Sequence, residues 1–214
     1  MEIIYLKEVD STHKYLKDYI KKNRYSKPIA VVANIQTDGI GSRDNSWIGK
    51  DGNLFLSFAI DKNDLPHDLP MQSASIYFSF ILKELLCNYG SKVWLKWPND
   101  FYIEDKKIGG TITNLQGDIF LCGIGLNLIE VDSDFGYLDI KFDKNLYLNE
   151  YFELLLKKIE WKHIFSKYSI EFDKSRDMKT TIDNEKISLK DAKLNFDGSI
   201  FINNKKVYSL RWQK

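Results

Sequence analysis

Apolar positions along this chain follow two periods, and the changes from one to the other mark its elements. Residues 3–6, 29–35 and 53–60 are short apolar runs of strand length, whereas Tyr15, Leu16, Tyr19 and Ile20 recur at the spacing of a helix face. Ser11 or Thr12 stands ahead of that face as an N-cap. A longer helix is expected from about residue 71 to 89, closed by Gly90. Strands near 92–97, 101–103, 108–115 and 118–127 then follow so closely that the sheet must pair mostly antiparallel there. Residues 132–148 show little period and read as an irregular connection. Asn149 is expected to cap a single helix running to about residue 168, with Phe152, Leu155, Leu156, Ile159 and Ile164 on its apolar face. From about residue 176 the pattern shortens to alternating strands with turn signals at Asp183-Asn184, Asp197-Gly198 and Asn203-Asn204.

The expected architecture is therefore α+β. A mixed, mostly antiparallel sheet with helices on one face occupies residues 1–175, and a small β module occupies 176–214. That module is too short to hold much core of its own and should pack on the larger part.

Composition narrows the functions available. The 214 residues carry 31 basic and 30 acidic side chains, a net charge of +1, which leaves no basic footprint for nucleic-acid binding. No apolar run reaches the length of a membrane span, and no signal-peptide pattern opens the chain, so the expectation is a cytoplasmic protein with no membrane or nucleic-acid partner. Cys87 and Cys122 lie in apolar segments and read as reduced, buried thiols rather than nucleophiles. Function has to reside in a local site.

The strongest candidate for that site is Lys96-Trp97-Pro98-Asn99-Asp100, followed seven residues later by Lys107 and then by Gly109-Gly110. Proline stops the ladder after Trp97, leaving the Asn99 amide and the Asp100 carboxylate where strand gives way to turn, free to hold a hydroxyl, a phosphate or Mg²⁺. Residues 101–103 and 108–115 form a hairpin that places Lys107 near its end. Gly109 and Gly110 let an anionic ligand approach the backbone N–H groups, and a neighbouring ammonium can neutralise charge on a carboxylate under adenylation. A solvated lysine-rich turn is the ordinary alternative for Lys107 taken alone.

As a set, these residues resemble the biotin protein ligase family, and three further tracts match it in order. Asp10-Ser11-Thr12-His13 is similar to the family's Asp-Ser-Thr-Asn ahead of a helix, with His13 replacing the asparagine. The resemblance implies that Ser11 and Thr12 bind the ureido end of biotin, whose hydrogen-bonding groups hydroxyls at a helix N-terminus can meet. Gln36-Thr37-Asp38-Gly39-Ile40-Gly41-Ser42-Arg43 resembles the family's phosphate loop, commonly Gly-Arg-Gly-Arg; Ile40 and Ser42 stand where its first two arginines would be, and Arg43 remains. Backbone N–H groups of Gly39 to Arg43 would cradle the acyl phosphate, with Arg43 supplying charge. Trp47 resembles a family tryptophan that packs near the adenylate. Gly123-Ile124-Gly125-Leu126-Asn127 matches a segment whose asparagine approaches adenine; an amide there can equally cap a turn.

The resemblance covers residues 1–130 well and the remainder in outline. It implies a catalytic fold like that of the class II aminoacyl-tRNA synthetases and biotin synthetases, a shortened SH3-like C-terminal β-barrel, and the monofunctional form without the N-terminal DNA-binding domain. The implied substrates are biotin and ATP with Mg²⁺, and the acceptor is the biotin carboxyl carrier protein or domain of a carboxylase. The implied site comprises Lys107 and Arg43 as catalytic groups; Ser11, Thr12, Gln36, Gly39, Ile40, Gly41, Ser42, Gly109, Gly110 and Gly125 around biotin and its phosphate; and Trp47, Lys96, Asn99, Asp100 and Asn127 around ATP, Asp100 also holding the metal. Both monomer and homodimer are compatible with the sequence. Other readings are a lipoate or octanoate ligase or transferase, a biotin-binding module without chemistry, and an interaction protein that dimerises through its sheet.

Overall fold

The computed structural model describes residues 1–41, the backbone of 46–47, residues 51–131 and residues 134–208. One seven-stranded sheet organises them. Its strands are β1 (Glu2–Val9), β2 (Ile29–Gln36), β5 (Leu54–Asp61), β6 (Trp94–Lys96), β7 (Asp100–Ile103), β8 (Lys106–Gln116) and β9 (Ile119–Leu126), in the spatial order β1-β2-β5-β9-β8-β7-β6. Only β1 and β2 run parallel, with helix α1 (Thr12–Asn23) as their crossover; the other neighbours are antiparallel, as the short connections require. Between β2 and β5 in the chain, β3 (Gly39–Ile40) and β4 (Ser46–Trp47) pair antiparallel as a separate two-stranded ladder.

Strand alternation sends side chains to two faces with different neighbours. Ala30 and Val32 of β2 and Leu54, Leu56, Phe58 and Ile60 of β5 join the main core with α2 (Ala74–Asn88), α3 (Lys144–Leu156) and α4 (Trp161–Glu171). Ile29, Val31, Ala59 and Leu121 point the other way and meet Leu16 of α1. The helices therefore do not share one face: α2 to α4 cover one side, and α1 covers part of the reverse. The rest of that reverse face lies beyond α1, over β8 and β7.

The helix expected over 149–168 is two helices. Capping begins earlier, at Asp143, whose carboxylate accepts from the N–H groups of Asn145 and Leu146 at 3.0 Å each, so the segment taken as irregular already becomes helical at Lys144. Lys158, at φ 52°, breaks the run, and α4 restarts at Trp161, where the Asp68 carboxylate accepts from the Trp161 and Lys162 N–H groups at 2.9 and 3.0 Å. A cap borrowed from a distant loop leaves no local signature.

The C-terminal module comprises a two-stranded sheet of β10 (Lys179–Ile182) and β11 (Glu185–Ser188), and a three-stranded sheet of β12 (Lys193–Leu194), β13 (Ile200–Ile202) and β14 (Lys205–Val207). Positive φ at Asp183-Asn184 and Asn203-Asn204 gives its hairpins their tight turns. Ile182, Leu189, Ala192, Ile200 and Ile202 belong to the main core, so the module packs on the larger part as its size requires. Indole N–H groups tie it down: Trp97 Nε1 donates to Gly198 O at 3.0 Å and Trp161 Nε1 to Phe196 O at 2.8 Å.

Candidate active site

The part of the sheet left bare by α1 forms an open cleft. Its floor follows from strand register. Phe55 pairs with Gly125, Gly125 with Gly110, and Gly110 with Asp100, so a row across β5, β9, β8 and β7 has two adjacent positions without side chains. The next row, Ser57, Gly123 and Ile112, adds a third glycine on the same face. Missing Cβ atoms make the hollow, while Phe55 and Ile112 give it apolar edges.

A polar cluster closes one end. Ser11 is the N-cap of α1, its hydroxyl accepting from Lys14 N at 3.4 Å, and Thr12 opens the first turn. Thr12 donates twice to Gln36 Oε1, from its backbone N–H and from Oγ1, both at 2.8 Å, and Thr12 Oγ1 lies 2.9 Å from Ser57 Oγ. Since the threonine proton is committed to Gln36, Ser57 donates to Thr12. All these side chains are buried. His13 follows on the same turn and lines the cleft; burial lowers its imidazole pKa, a hydrogen bond with Asn114 opposes this, and Lys17 adds to the lowering.

The opposite end carries charge. Lys107 Nζ lies 2.7 Å from Asp100 Oδ1, and Lys96 Nζ lies 3.9 Å from Asp100 Oδ2 and 5.6 Å from the Tyr102 ring. A register shift makes this possible. Tyr102 pairs with Lys107, but Phe101 pairs with Gly109 and Asp100 with Gly110, so Ile108 is an extra residue on β8. Ile108 turns into the core, and Lys107 and Gly110, three residues apart, reach the same face.

Many of the expected residues converge. Ser11, Thr12, Gln36, Ile40, Gly41, Asp100, Lys107, Gly110 and Gly125 all line this cleft. Others act from behind it. Gly109 packs against β9, where an added Cβ would sit 2.4 Å from Gly125 O, so its small size serves strand contact rather than ligand approach. Asn99 uses its amide on Thr111 O, and Lys96 lies buried beside Asp100. Gly39 is buried and pairs through its backbone with Trp47. Asn127, expected near adenine, is absent from the cleft lining and donates from Nδ2 to Gly136 O at 3.1 Å. Ser42, Arg43 and the Trp47 side chain lie outside the described residues. Cys122 is buried as expected, whereas Cys87 is only half-buried; burial raises the pKa of both thiols.

Sequence reading missed Ser57 and Gly123. Both had a signal: Ser57 is the polar residue of an apolar strand, and Gly123 stands two residues from Gly125, hence on its face.

The chain matches the biotin/lipoate A/B protein ligase family over residues 5–128. It is 32% identical to the bifunctional ligase/repressor BirA of Escherichia coli (strain K12) over 127 residues, a stretch covering 56% of this chain and 38% of that protein. With biotin–protein ligase 2 of Arabidopsis thaliana it shares 29% identity over 142 residues, 62% of this chain and 41% of the relative. The chain thus spans well under half the length of these relatives. Among solved structures, biotin acetyl coenzyme A carboxylase synthetase from Helicobacter pylori with bound biotinylated ATP superposes with a TM-score of 0.91 at 39% identity, covering 97% of this chain and 99% of that one. Biotin protein ligase from Aquifex aeolicus in complex with biotin and ATP shares the fold, with a TM-score of 0.76 at 24% identity over 97% and 94% of the two chains.

Proposed function

This chain belongs to the biotin/lipoate A/B protein ligase family, and on that premise we propose that its cleft joins biotin to ATP as biotinyl-5′-adenylate and passes the biotinyl group to a lysine of a biotin carboxyl carrier domain. The observation that carries this reading is the pairing of a lysine ammonium at one end of a glycine-floored hollow with a buried Thr12–Gln36–Ser57 cluster at the other. The choice of biotin rests on that cluster. A cyclic urea offers N–H donors and a carbonyl acceptor, which the remaining hydrogen-bonding capacity of the hydroxyls and the amide can match; a lipoyl disulfide ring or an octanoyl tail offers neither and would gain nothing from those groups. The Helicobacter pylori relative with bound biotinylated ATP points the same way.

In this reaction a carboxylate oxygen of biotin attacks the α-phosphorus of ATP and pyrophosphate leaves. Lys107 stabilises the negative charge on the carboxylate and on the mixed anhydride. The carrier amine then attacks the acyl carbon, an amide forms, AMP departs, and the amine proton passes to solvent. Proximity and charge do the work, with no covalent enzyme intermediate. The Gly39 to Arg43 loop is assigned to phosphate from its sequence. Asp100 fits Mg²⁺ only as a single carboxylate, because it stands between two lysines and no cluster of three metal-binding side chains occurs among the described residues; the phosphates of ATP would supply the other ligands. Such an ion would neutralise phosphate charge.

We assign catalysis to residues 1–175 and treat 176–214 as a packed accessory module. A cytoplasmic location fits its two free cysteines, and no helix among the described residues is long and apolar enough to cross a membrane. Streptavidin detection of a carrier domain incubated with the chain, biotin and MgATP tests the transfer. Labelling that needs both ATP and the carrier lysine supports it, and no labelling at any chain concentration contradicts it.

A further inference from the structure

The proposed transfer brings a second macromolecule to the mouth of the cleft, and positive charge is gathered beside that mouth. Residues 12–24, helix α1 with its C-cap Arg24, hold five of the 31 basic side chains, Lys14, Lys17, Lys21, Lys22 and Arg24, against one of the 30 acidic ones, Asp18. Five against one gives this segment a net charge of +4 where the whole chain carries +1, so the remainder is slightly acidic. All six of these residues are exposed.

Helical spacing sorts these charges. Lys14, Lys17 and Lys21 stand at i, i+3 and i+7, a stripe along the outer side of α1, while Leu16 on the inner side is buried against the sheet. Two relationships fix the stripe beside the cleft. Lys14 Nζ lies 2.5 Å from Asp38 Oδ2, and Asp38 leads into the turn whose Ile40 and Gly41 line the cleft. Lys17 follows one turn of helix after His13, a lining residue, near enough for its charge to act on the imidazole. Among the described residues Lys17, Lys21, Lys22 and Arg24 take part in no ion pair, whereas Lys62, Lys83, Lys96 and Lys107 each have an acidic partner. Lys17 and Lys21, four residues apart, repel one another, so the stripe works against the helix that carries it. Its effect is a positive field across the rim of the site.

We propose that the α1 stripe is a docking surface for an acidic face of the carrier domain, drawing the carrier to the cleft so that its lysine meets the acyl adenylate. This deepens the reading of the chain as a biotin-activating ligase and rests on it. Charge balance selects the partner. The near-neutral chain has no footprint for a nucleic acid, whereas a local patch at the rim of a site suits a small acidic protein. Rim charges of this kind act on the encounter and leave the chemistry alone: they speed association, and salt screens them over about 10 Å at 0.1 M. The stripe takes no part in activating biotin.

Biotin transfer to a purified carrier domain of net negative charge tests this in wild-type protein and the double variants Lys17→Glu/Lys21→Glu and Lys17→Gln/Lys21→Gln, each at about 20 mM and about 300 mM salt. Pyrophosphate release with biotin and MgATP, in the absence of carrier, is measured alongside. The glutamine pair keeps good helix formers and serves where charge reversal unfolds α1. At low salt the charge-reversed variant should raise KM for the carrier by about tenfold or more and the glutamine variant by less. The kcat for transfer and the carrier-free release should stay within about twofold of wild type, and at high salt the three KM values should converge. Equal KM in all three proteins at low salt, or a rise of the same size at both salts, would overturn the docking surface while leaving biotin activation standing. A matching fall in carrier-free release would overturn it too, since the stripe would then act on the cleft itself. A wild-type chain that releases no pyrophosphate with biotin would overturn the ligase reading beneath it.

Discussion

Lys107 and Asp100 meet across the β7–β8 ladder with Nζ 2.7 Å from Oδ1, on the face of the sheet that holds the cleft. Both side chains remain partly solvated, at 27% and 23% exposure, so the pair contributes little to stability. Its consequence is positional: the carboxylate holds the ammonium over Gly110, and an entering anion shares that cation.

Removing the ammonium should separate folding from chemistry. Lys107→Ala is expected to shift the unfolding free energy by less than about 1 kcal/mol, as exposed ion pairs do. Adenylate formation should fall by about 10²-fold or more, the usual loss when a charge-stabilising group is removed. Pyrophosphate release and urea unfolding on the same preparation measure the two; near-normal turnover would take Lys107 out of the mechanism.

Gly109 and Gly110 should respond differently to the same change. Gly109→Ala puts a Cβ 2.4 Å from Gly125 O and should destabilise the fold by about 1–3 kcal/mol, the range for overpacking. Gly110→Ala brings a Cβ 3.1 Å from Asp100 Oδ1, a side-chain atom able to give way, so the fold should persist while the Lys107–Asp100 pair shifts and turnover drops. Equal loss of stability in both variants would contradict the division between packing and cleft.

Thr12→Val keeps shape and removes the hydroxyl between Gln36 and Ser57. Two buried polar groups lose a partner, at about 1–3 kcal/mol. Biotin binding should weaken by about tenfold or more, measured by titration calorimetry. Unchanged affinity would remove the cluster from biotin recognition.

His13 should make stability depend on pH. Its folded pKa lies below the ordinary imidazole value of about 6.5, because burial disfavours the charged ring, with Asn114 opposing and Lys17 assisting. The folded protein therefore binds fewer protons than the unfolded chain once pH falls below that value. The contribution of His13 is fully present above about pH 6.5 and is lost as pH falls toward the folded pKa. Unfolding free energy measured from pH 7 to 5 should decline, and His13→Asn should flatten the slope. An identical slope in that variant would show that the imidazole is not held neutral by the fold.

Much of this organisation is legible in the sequence. Period-two apolar runs and short connections reveal the mostly antiparallel sheet, and the tract from Lys96 to Gly110 marks the charged end of the cleft. Residues whose meaning depends on register are not legible. Gly109 and Gly110 look alike on paper, but one extra residue at Ile108 sends the first to β9 and the second to the hollow. Ser57 reads as part of a core strand until Thr12 is seen against it, 45 residues away in sequence. The break between α3 and α4 is invisible for a related reason, since its cap, Asp68, stands 93 residues before Trp161.

The most direct test is mass spectrometry of the chain incubated with MgATP and, separately, biotin, lipoate or octanoate. The account predicts biotinyl-5′-adenylate with biotin and no adenylate with the other two. An adenylate formed with lipoate or octanoate and absent with biotin would contradict the assignment of the Thr12–Gln36–Ser57 cluster, and no adenylate with any of the three would contradict the activation chemistry itself.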